Sequence, residues 1–350
     1  MIYEDKIIET VVRECYDKKI IREKDAVIIA LSGGMDSMCL LDVFNRLSSD
    51  FVNDLVAVHI NHGIRDVEAE RDMSFVEEYC KSLGIKLIIE NVDAVTYSKK
   101  NNLTLEEAAR VLRYQVFDKI WKEYSLKRYN TNTHILVAHH MQDQAETVIH
   151  NILRGTGIKG LAGMSVKNNY ILRPLLNVSK SEIEEYVKKY AIKYVDDSTN
   201  NDLNYTRNYI RKELIGRFNH VNDKAIEHII SLSNVARDIN DYLELLAKYV
   251  LKEMTSANKN SEIVINAKLF NNTQNVLKTY IVKEIFAKLV NTAKDITKVH
   301  INDVIKLAMK DKGGHIDLAY NITLDKKKNN LVFKKNDKNI SMSKRKKRWN

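Results

Sequence analysis

Ala26-Val-Ile-Ile-Ala-Leu31, followed at once by Ser32-Gly33-Gly34-Met35-Asp36-Ser37, decides the fold of this chain. An apolar run this short, ended by glycines, fits a buried strand better than a buried helix. From Ser37 to Phe44 apolar residues return at helical spacing. The turn between them holds two glycines, which let the backbone curl and approach a ligand without steric cost. Amides at a helix N-terminus point at an anion and favour negative charge. Ser32 and Ser37 add hydroxyls on either side. The segment therefore reads as a phosphate cradle. It is not a Walker A loop, because no Gly-Lys-Ser/Thr follows. The bland alternative is an ordinary glycine turn, and Ser, Asp and Ser at these places argue against it.

Outward from this loop, strands and helices alternate. Leu55–Ile60 reads as a second strand, Val67–Leu83 as a helix and Ile85–Val92 as a third strand. Thr104 and Glu107 form a capping box that opens the next helix. His134–Ala138 is a fourth strand, and Gln142–Leu153 is helical. This alternation predicts an α/β fold with a parallel sheet and crossover helices. Ligands of such sheets bind beyond the carboxyl ends of the strands, where the chemistry-bearing segments fall. After Pro174 the pattern turns helical: a second capping box at Ser179–Glu182, then helices over Tyr205–Phe218, Asp223–Met254, Val276–Leu289 and Val299–Met309. Short strand-like pieces lie near Gly314–Leu318, Ile322–Leu324 and Leu331–Lys334. The expected organisation is a catalytic domain over 1–218, a smaller helix-rich C-terminal domain with short strands over 223–336, and a basic tail over 337–350.

Apolar residues make up 44% of the 350, enough for a sizeable core, and Pro174 is the only proline. No apolar run approaches the roughly 20 residues that span a bilayer. The N-terminal MIYEDKIIET lacks the basic and apolar regions of an export signal. Cys15, Cys39 and Cys80 are odd in number and widely spaced, which suggests neither a disulfide framework nor a zinc knuckle. A reducing cytoplasm is the expected location. Of the net charge of +10, residues 325–350 carry +9, from eleven Lys or Arg against two Asp. Such a segment attracts nucleic-acid phosphates, or serves only solubility.

Ser-Gly-Gly-x-Asp-Ser resembles the PP-loop of the N-type ATP pyrophosphatases, which split ATP between its α and β phosphates. Further segments narrow the resemblance. They are His59-Ile-Asn61-His62-Gly63-Ile-Arg65, Glu107-Ala-Ala-Arg110-Val-Leu-Arg113-Tyr114 and Ala138-His139-His140-Met-Gln142-Asp143-Gln-Ala-Glu146-Thr147. Arg154-Gly155-Thr156-Gly157-Ile-Lys-Gly160-Leu-Ala-Gly163-Met164, Arg173-Pro174-Leu-Leu, Asp197-Ser198-Thr199-Asn200 and Tyr205-Thr-Arg207-Asn208-Tyr-Ile-Arg211 follow in order. Together, over about residues 24–216, they resemble the tRNA-isoleucine lysidine synthetase family. Two departures stand out. Gln142 replaces the first of two adjacent Asp, leaving Asp143 at the second place. An asparagine that usually follows Asp-x-Ser is displaced by Thr199.

The resemblance implies ATP as a substrate, Mg2+, free L-lysine and an isoleucine tRNA with a CAU anticodon. It implies that Ser32, Gly33, Gly34, Asp36, Ser37 and His62 hold ATP. Asp36 and Asp143 would carry the magnesium ion. Arg113 and Arg207 would stabilise developing charge, and Arg110, His139, Glu146, Arg154 and Arg211 would bind substrate. Glu146 is the candidate acceptor for the lysine ammonium proton. A homodimer is left open. Bland readings exist for each: Arg110 and Arg113 share a helix face that could simply be solvated. His139, His140, Asp143 and His150 could be read as a metal cluster, although zinc normally wants three or four N or S ligands. Within the superfamily the nearest rival is a tRNA cytidine thiolase, which needs cysteines near the site, and none follows Cys80. Other rivals are a small-molecule ligase and a non-catalytic RNA-binding protein. Many members of the family carry a further C-terminal domain, which this chain is expected to lack.

Overall fold

The computed structural model describes residues 5–51, 54–63, 66–127, 131–195, 206–259, 261–292 and 296–336. Contacts divide the chain into two compact units, Met1–Val235 and Ala236–Asn350.

In the first unit α1 (Lys6–Val12) runs through a π-turn into β1 (Ala26–Ala30), α2 (Met35–Phe51), β2 (Asp54–Asn61), α3 (Asp66–Ser82) and β3 (Lys86–Asn91). Next come α4 (Ala94–Asn101), α5 (Leu105–Leu126), β4 (Thr133–Leu136), α6 (Met141–Leu153) and α7 (Ile158–Leu161). A short pair, β5 (Lys167–Asn168) and β6 (Ile171–Leu172), precedes α8 (Lys180–Lys189). The strand order is β3-β2-β1-β4-β6-β5, parallel except where β5 meets β6. β1 pairs with β2 on one side and β4 on the other, Ile28 opposite both Val56 and Ile135. Each β1 residue from Ala26 to Ile29 is fully buried, as a strand covered on both faces must be. Both capping boxes form, Thr104 with Glu107 and Ser179 with Glu182.

The expected helix over Tyr205–Phe218 forms as one helical run from Thr206 to Val221, made of α9 (Thr206–Tyr209), a π-helical turn over Ile210–Ile215, and α10 (Gly216–Val221). Single π-turns inserted into helices concentrate at functional sites. Ile210 and Ile215 pack with Ala145 and Ile149 of α6, which fixes this turn against α6.

A long helix, α11 (Ala225–Met254), leads into β7 (Thr255–Lys259), β8 (Glu262–Asn266), α12 (Ala267–Asn272), α13 (Asn275–Val290) and α14 (Lys298–Met309). β9 (Gly314–Asp317), β10 (Ile322–Lys327) and β11 (Asn330–Lys335) close the described chain. The second unit therefore holds a five-stranded antiparallel sheet, β7-β8-β11-β10-β9, where the sequence indicated three short strands. Lys326, Lys327, Lys334 and Lys335 lie on the β10–β11 hairpin, with Lys328 in its turn, so part of the basic excess belongs to the sheet and not to the tail.

Candidate active site

β1 lies between β2 and β4, so the segments leaving the carboxyl ends of these three strands converge. This is the topological switch point, where an open parallel sheet offers a crevice. The loop after β1 is tied to itself. The Ser32 amide donates to Ser37 Oγ at 3.2 Å, the Gly34 amide to Ser32 Oγ at 3.3 Å, and Ser37 Oγ to the Gly34 carbonyl at 2.9 Å. Gly33 has φ +89°, and a Cβ there would stand 2.9 Å from Val195 Cγ2. Its carbonyl accepts from the Val195 amide at 3.0 Å. Only glycine suits that position. His59, at the end of β2, bonds the Leu31 carbonyl at 2.9 Å and steadies the start of the loop.

A chain of alternating charges runs from this loop into α6. Lys180 Nζ donates to Asp36 Oδ1 at 2.6 Å. His140 Nε2 stands 3.6 Å from Asp36 Oδ2 and 3.6 Å from Asp143 Oδ2. Arg211 reaches Asp143 Oδ1 at 3.2 Å through Nη2, and Glu146 Oε1 at 2.5 Å through Nε. Burial alone would raise the Asp36 carboxyl, but His140 and Lys180 outweigh it and hold Asp36 at about 2. Burial also opposes ionisation of Asp143, and His140, His139 and Arg211 overcome it. The same two carboxylates draw His140 upward despite its burial. Both Asp side chains are therefore ionised at neutral pH.

Glu146 is 1% exposed, and its carboxylate is clasped by Arg211 from two nitrogens, with Nη2 to Oε2 at 3.3 Å. To accept a proton from a lysine ammonium it would first have to exchange this partner. His62, past the end of β2, is drawn down to about 4 by burial and by the positive charge of Arg113. The Arg113 charge is thus felt at His62. Arg110 stacks over the Tyr114 ring at 5.5 Å. Arg154 is exposed just after α6, where its charge is felt by Glu107 at the start of α5. Arg207 sits in α9, but its side chain lies outside the described residues, as do Arg65, Asp197–Asn200 and Tyr205.

A profile of the PP-loop domain matches residues 4–218. The tRNA(Ile)-lysidine synthase of Clostridioides difficile (strain 630) is 33% identical over 332 residues, which are 94% of this chain and 70% of that protein. The chain belongs to the tRNA(Ile)-lysidine synthase family. A second member of the family, from Caldanaerobacter subterraneus subsp. tengcongensis, is 34% identical over 94% of this chain and 69% of its own length. The Petrotoga mobilis synthase reaches 40% identity over 219 residues, 63% of this chain and 68% of that protein. Among solved structures, the U34-tRNA thiolase NcsA from Methanococcus maripaludis superposes with a TM-score of 0.55 at 16% identity, covering 66% of this chain and 79% of that one. That likeness is one of fold. As a PP-loop member of the synthase family, the chain uses ATP as a substrate.

Sequence reading named Gln142 only as a departure from the family pattern, and missed Lys180 and Gln144. Lys180 is 144 positions from Asp36 in the chain. It also opens α8, a place where a cation opposes the helix dipole, and that local conflict was the available signal. Gln142 Oε1 accepts from the Lys180 amide at 3.0 Å and lies 3.1 Å from His140 Nδ1, so the replacement of an Asp here still joins α6 to α8. Gln144, 2% exposed, accepts from the Met164 amide at 2.7 Å and donates to the Ala162 and Met164 carbonyls, holding the 160–164 turn. Replacing Lys180 with methionine is expected to raise the KM for ATP about tenfold, the cost of one modest charge contact, with a smaller change in kcat. Steady-state pyrophosphate release measures both, and an unchanged ATP dependence would confine Lys180 to a structural ion pair.

Proposed function

We propose that this chain joins free L-lysine to C2 of the wobble cytidine in the CAU anticodon of an isoleucine tRNA. ATP is consumed, and AMP and pyrophosphate are released. The carrying observation is the phosphate cradle over Ser32–Ser37 opening onto paired, ionised Asp36 and Asp143, in a chain of this family.

The unpaired anticodon loop can splay its base into a pocket. The C2 carbonyl oxygen of cytidine attacks the α-phosphate, and pyrophosphate leaves. The backbone amides and serines of the cradle orient the phosphates. Among the described residues no three His, Cys, Asp or Glu side chains group as a metal site. A magnesium ion asks for less, since one or two carboxylates with phosphates and water suffice. Asp36 and Asp143 have the hard oxygens and the ionisation it requires, and would hold it. Bound there, it would neutralise pyrophosphate charge. Arg113 and Arg207 would stabilise the charge that develops on the phosphate or the base.

The lysine ε-amine then attacks C2, and the C2 oxygen departs on AMP. Freeing that amine at pH 7 costs about 4.6 kcal/mol, because an unperturbed lysine ammonium titrates near 10.4. Glu146 is the proposed acceptor of its proton, with Arg211 turning to substrate as it gives way. His139, Arg110 and Arg154 are the proposed contacts for the RNA. A sulfur-transferring reaction finds no support in the cysteines. Burial pushes Cys15 up to about 12 and Cys80 up to about 11, and Cys39 is fully buried and raised as well.

Incubation with ATP, radiolabelled lysine and total tRNA tests the reading. Label in RNA supports ligation, whereas RNA binding without ATP consumption would sink it. The expected compartment is the cytoplasm. Among the described residues no helix is long and apolar enough to cross a membrane.

The basic run Lys344–Arg348 lies outside the described residues. Truncation after Lys338 removes its five charges. If three contact phosphate, the slope of log K against log salt for tRNA binding becomes shallower by about 2–3. Cognate discrimination should stay the same, because backbone contacts position rather than specify. An unchanged slope would make the run a solubility device.

A further inference from the structure

The amino ends of β1 and β4 border a second cavity, at the opposite end of these strands from the phosphate cradle. Its walls come from the turn before β1, the end of α5, the start of β4 and the β5–β6 hairpin. The volume is about 760 Å³, within the roughly 300–1,000 Å³ of small-molecule sites. One wall is flat and aromatic. Trp121 and Tyr170 stack with ring centres 4.7 Å apart and planes 15° from parallel. The Trp121 indole N–H donates to the Thr133 carbonyl at 3.0 Å, and the Tyr170 hydroxyl donates to Asp118, so both rings are held. Lys19, Arg22 and Lys167 also line the cavity, and all three are exposed. Among the described residues none of these cations pairs with a carboxylate. The lining further includes a buried polar pair. His134 Nε2 stands 3.0 Å from Asp25 Oδ2, and the Asp25 carboxylate also accepts from the Asn132 amide at 2.9 Å and the Arg22 amide at 3.0 Å. Burial opposes ionisation of Asp25, but those two amides and His134 overcome it. Burial draws His134 down by more than Asp25 draws it up, and the Lys167 charge adds to the lowering. His134 is therefore neutral at pH 7, with its proton on Nε2 toward Asp25. Its Nδ1 is left an acceptor, buried and without a partner, and Thr133 Oγ1 is buried and unpartnered too. Each of these residues is 4% exposed. Buried polar groups are nearly always satisfied, so two orphans in the lining of one cavity point to a ligand.

We propose that this cavity is a second nucleotide site, which takes a free nucleoside monophosphate whose base carries an amino group. Each part of such a ligand answers one feature of the lining. The phosphate carries close to two negative charges and meets Lys19, Arg22 and Lys167, which no carboxylate among the described residues neutralises. The base lies against the Trp121–Tyr170 wall, since every base offers a flat π-face to an aromatic ring. Stacking of that kind gives affinity and little selectivity. Selectivity comes from His134, whose Nδ1 can only accept, so an exocyclic amino group is its complement. The Thr133 side chain leaves the opposite face of β4, where its hydroxyl can donate to a sugar or phosphate oxygen. A bare anion would use the cations and leave the aromatic wall and both orphans unserved. A nucleotide within a strand must leave room for its two neighbours, whereas a free one can close on both orphans. The site shares no residue with the phosphate cradle and does not depend on the ligation reaction proposed above. AMP, which that reaction releases, is the probe of choice because adenine carries the required amino group.

Trp121 and Trp349 are the only tryptophans of the chain. Full-length Trp349→Phe protein therefore reports on the cavity through Trp121 alone. AMP, titrated without magnesium or tRNA, is expected to quench Trp121 fluorescence saturably, with a Kd of about 10–1,000 µM. Purine riboside 5′-monophosphate, which lacks only the amino group, should bind at least about tenfold more weakly. Adenosine should do the same for want of the phosphate. Lys167→Glu in this background is expected to weaken AMP at least about tenfold, while the KM for ATP in pyrophosphate release stays unchanged. Lys167 is exposed, so the variant should fold, and thermal unfolding checks this. Should it fail to fold, Arg22→Glu, also at an exposed side chain, takes its place. Fluorescence that stays flat to about 10 mM AMP overturns the proposal. Quenching that Lys167→Glu leaves unchanged overturns it too, because AMP is then seated in the ATP cradle. Inorganic phosphate that binds as tightly as AMP makes the cavity an anion patch with no place for a base, which also overturns it. Quenching by tRNA without quenching by AMP would make the cavity an RNA contact, and is the fourth outcome against it.

Discussion

Asp36→Ala is expected to suppress pyrophosphate release by at least the roughly 10²–10³-fold that follows loss of one electrostatic contact to the reacting phosphates, and by more if the side chain also anchors magnesium. The fold should survive. The cradle's internal bonds run through Ser32, Ser37, Gly34 and the Gly33–Val195 pair, and none uses the Asp36 side chain. Lys180, whose side chain is 30% exposed, keeps access to water once released from it, and buried His140 keeps Asp143 as a neighbour. The local cost is then modest, whereas the chemical cost is large because this carboxylate sits where ATP phosphates must arrive. Far-UV circular dichroism with pyrophosphate release measures the two separately. Near-normal ATP turnover in a folded variant would remove Asp36 from the mechanism.

The parts of this fold legible in the sequence are those decided locally. Both capping boxes form because Thr104 with Glu107 and Ser179 with Glu182 interact within one helical turn. β1 was legible because a strand buried on both faces must be apolar throughout. β7 was not, because Thr255–Lys259 reads TSANK, a polar segment whose strand conformation comes from pairing with β8. The helix α1 escaped too. Its buried face is only Ile7, Ile8, Thr10 and Val11, and it runs directly into a π-turn. In the site, residues on one contiguous motif were found together: Ser32 to Ser37, and Asp143 with Glu146. The pairings that set their charge state were not, because Lys180, which no motif names, and Arg211, named only for substrate, arrive from 144 and 68 positions away. Spacing along a chain carries no information about such pairs. A local rule broken without local reason does, and Lys180 in the first turn of α8 breaks one.

Arg113→Ala is expected to lower kcat by roughly 10²–10³ with little change in tRNA affinity, the signature of an interaction made chiefly in the transition state. Arg113 is exposed on α5, outside the protein core, and its charge is felt by His62 past the end of β2. No core packing is lost with it, and unfolding should be unaffected. A guanidinium there cannot be deprotonated and offers fixed donors to an oxygen gaining charge. Lysine at this position keeps the charge and loses the fork, so Arg113→Lys should recover only part of the loss. Single-turnover adenylation of tRNA, set beside equilibrium tRNA binding, distinguishes the outcomes. A variant that binds tRNA more weakly at unchanged kcat would make Arg113 a docking residue. The developing charge would then fall to Arg207 and the amides of the cradle.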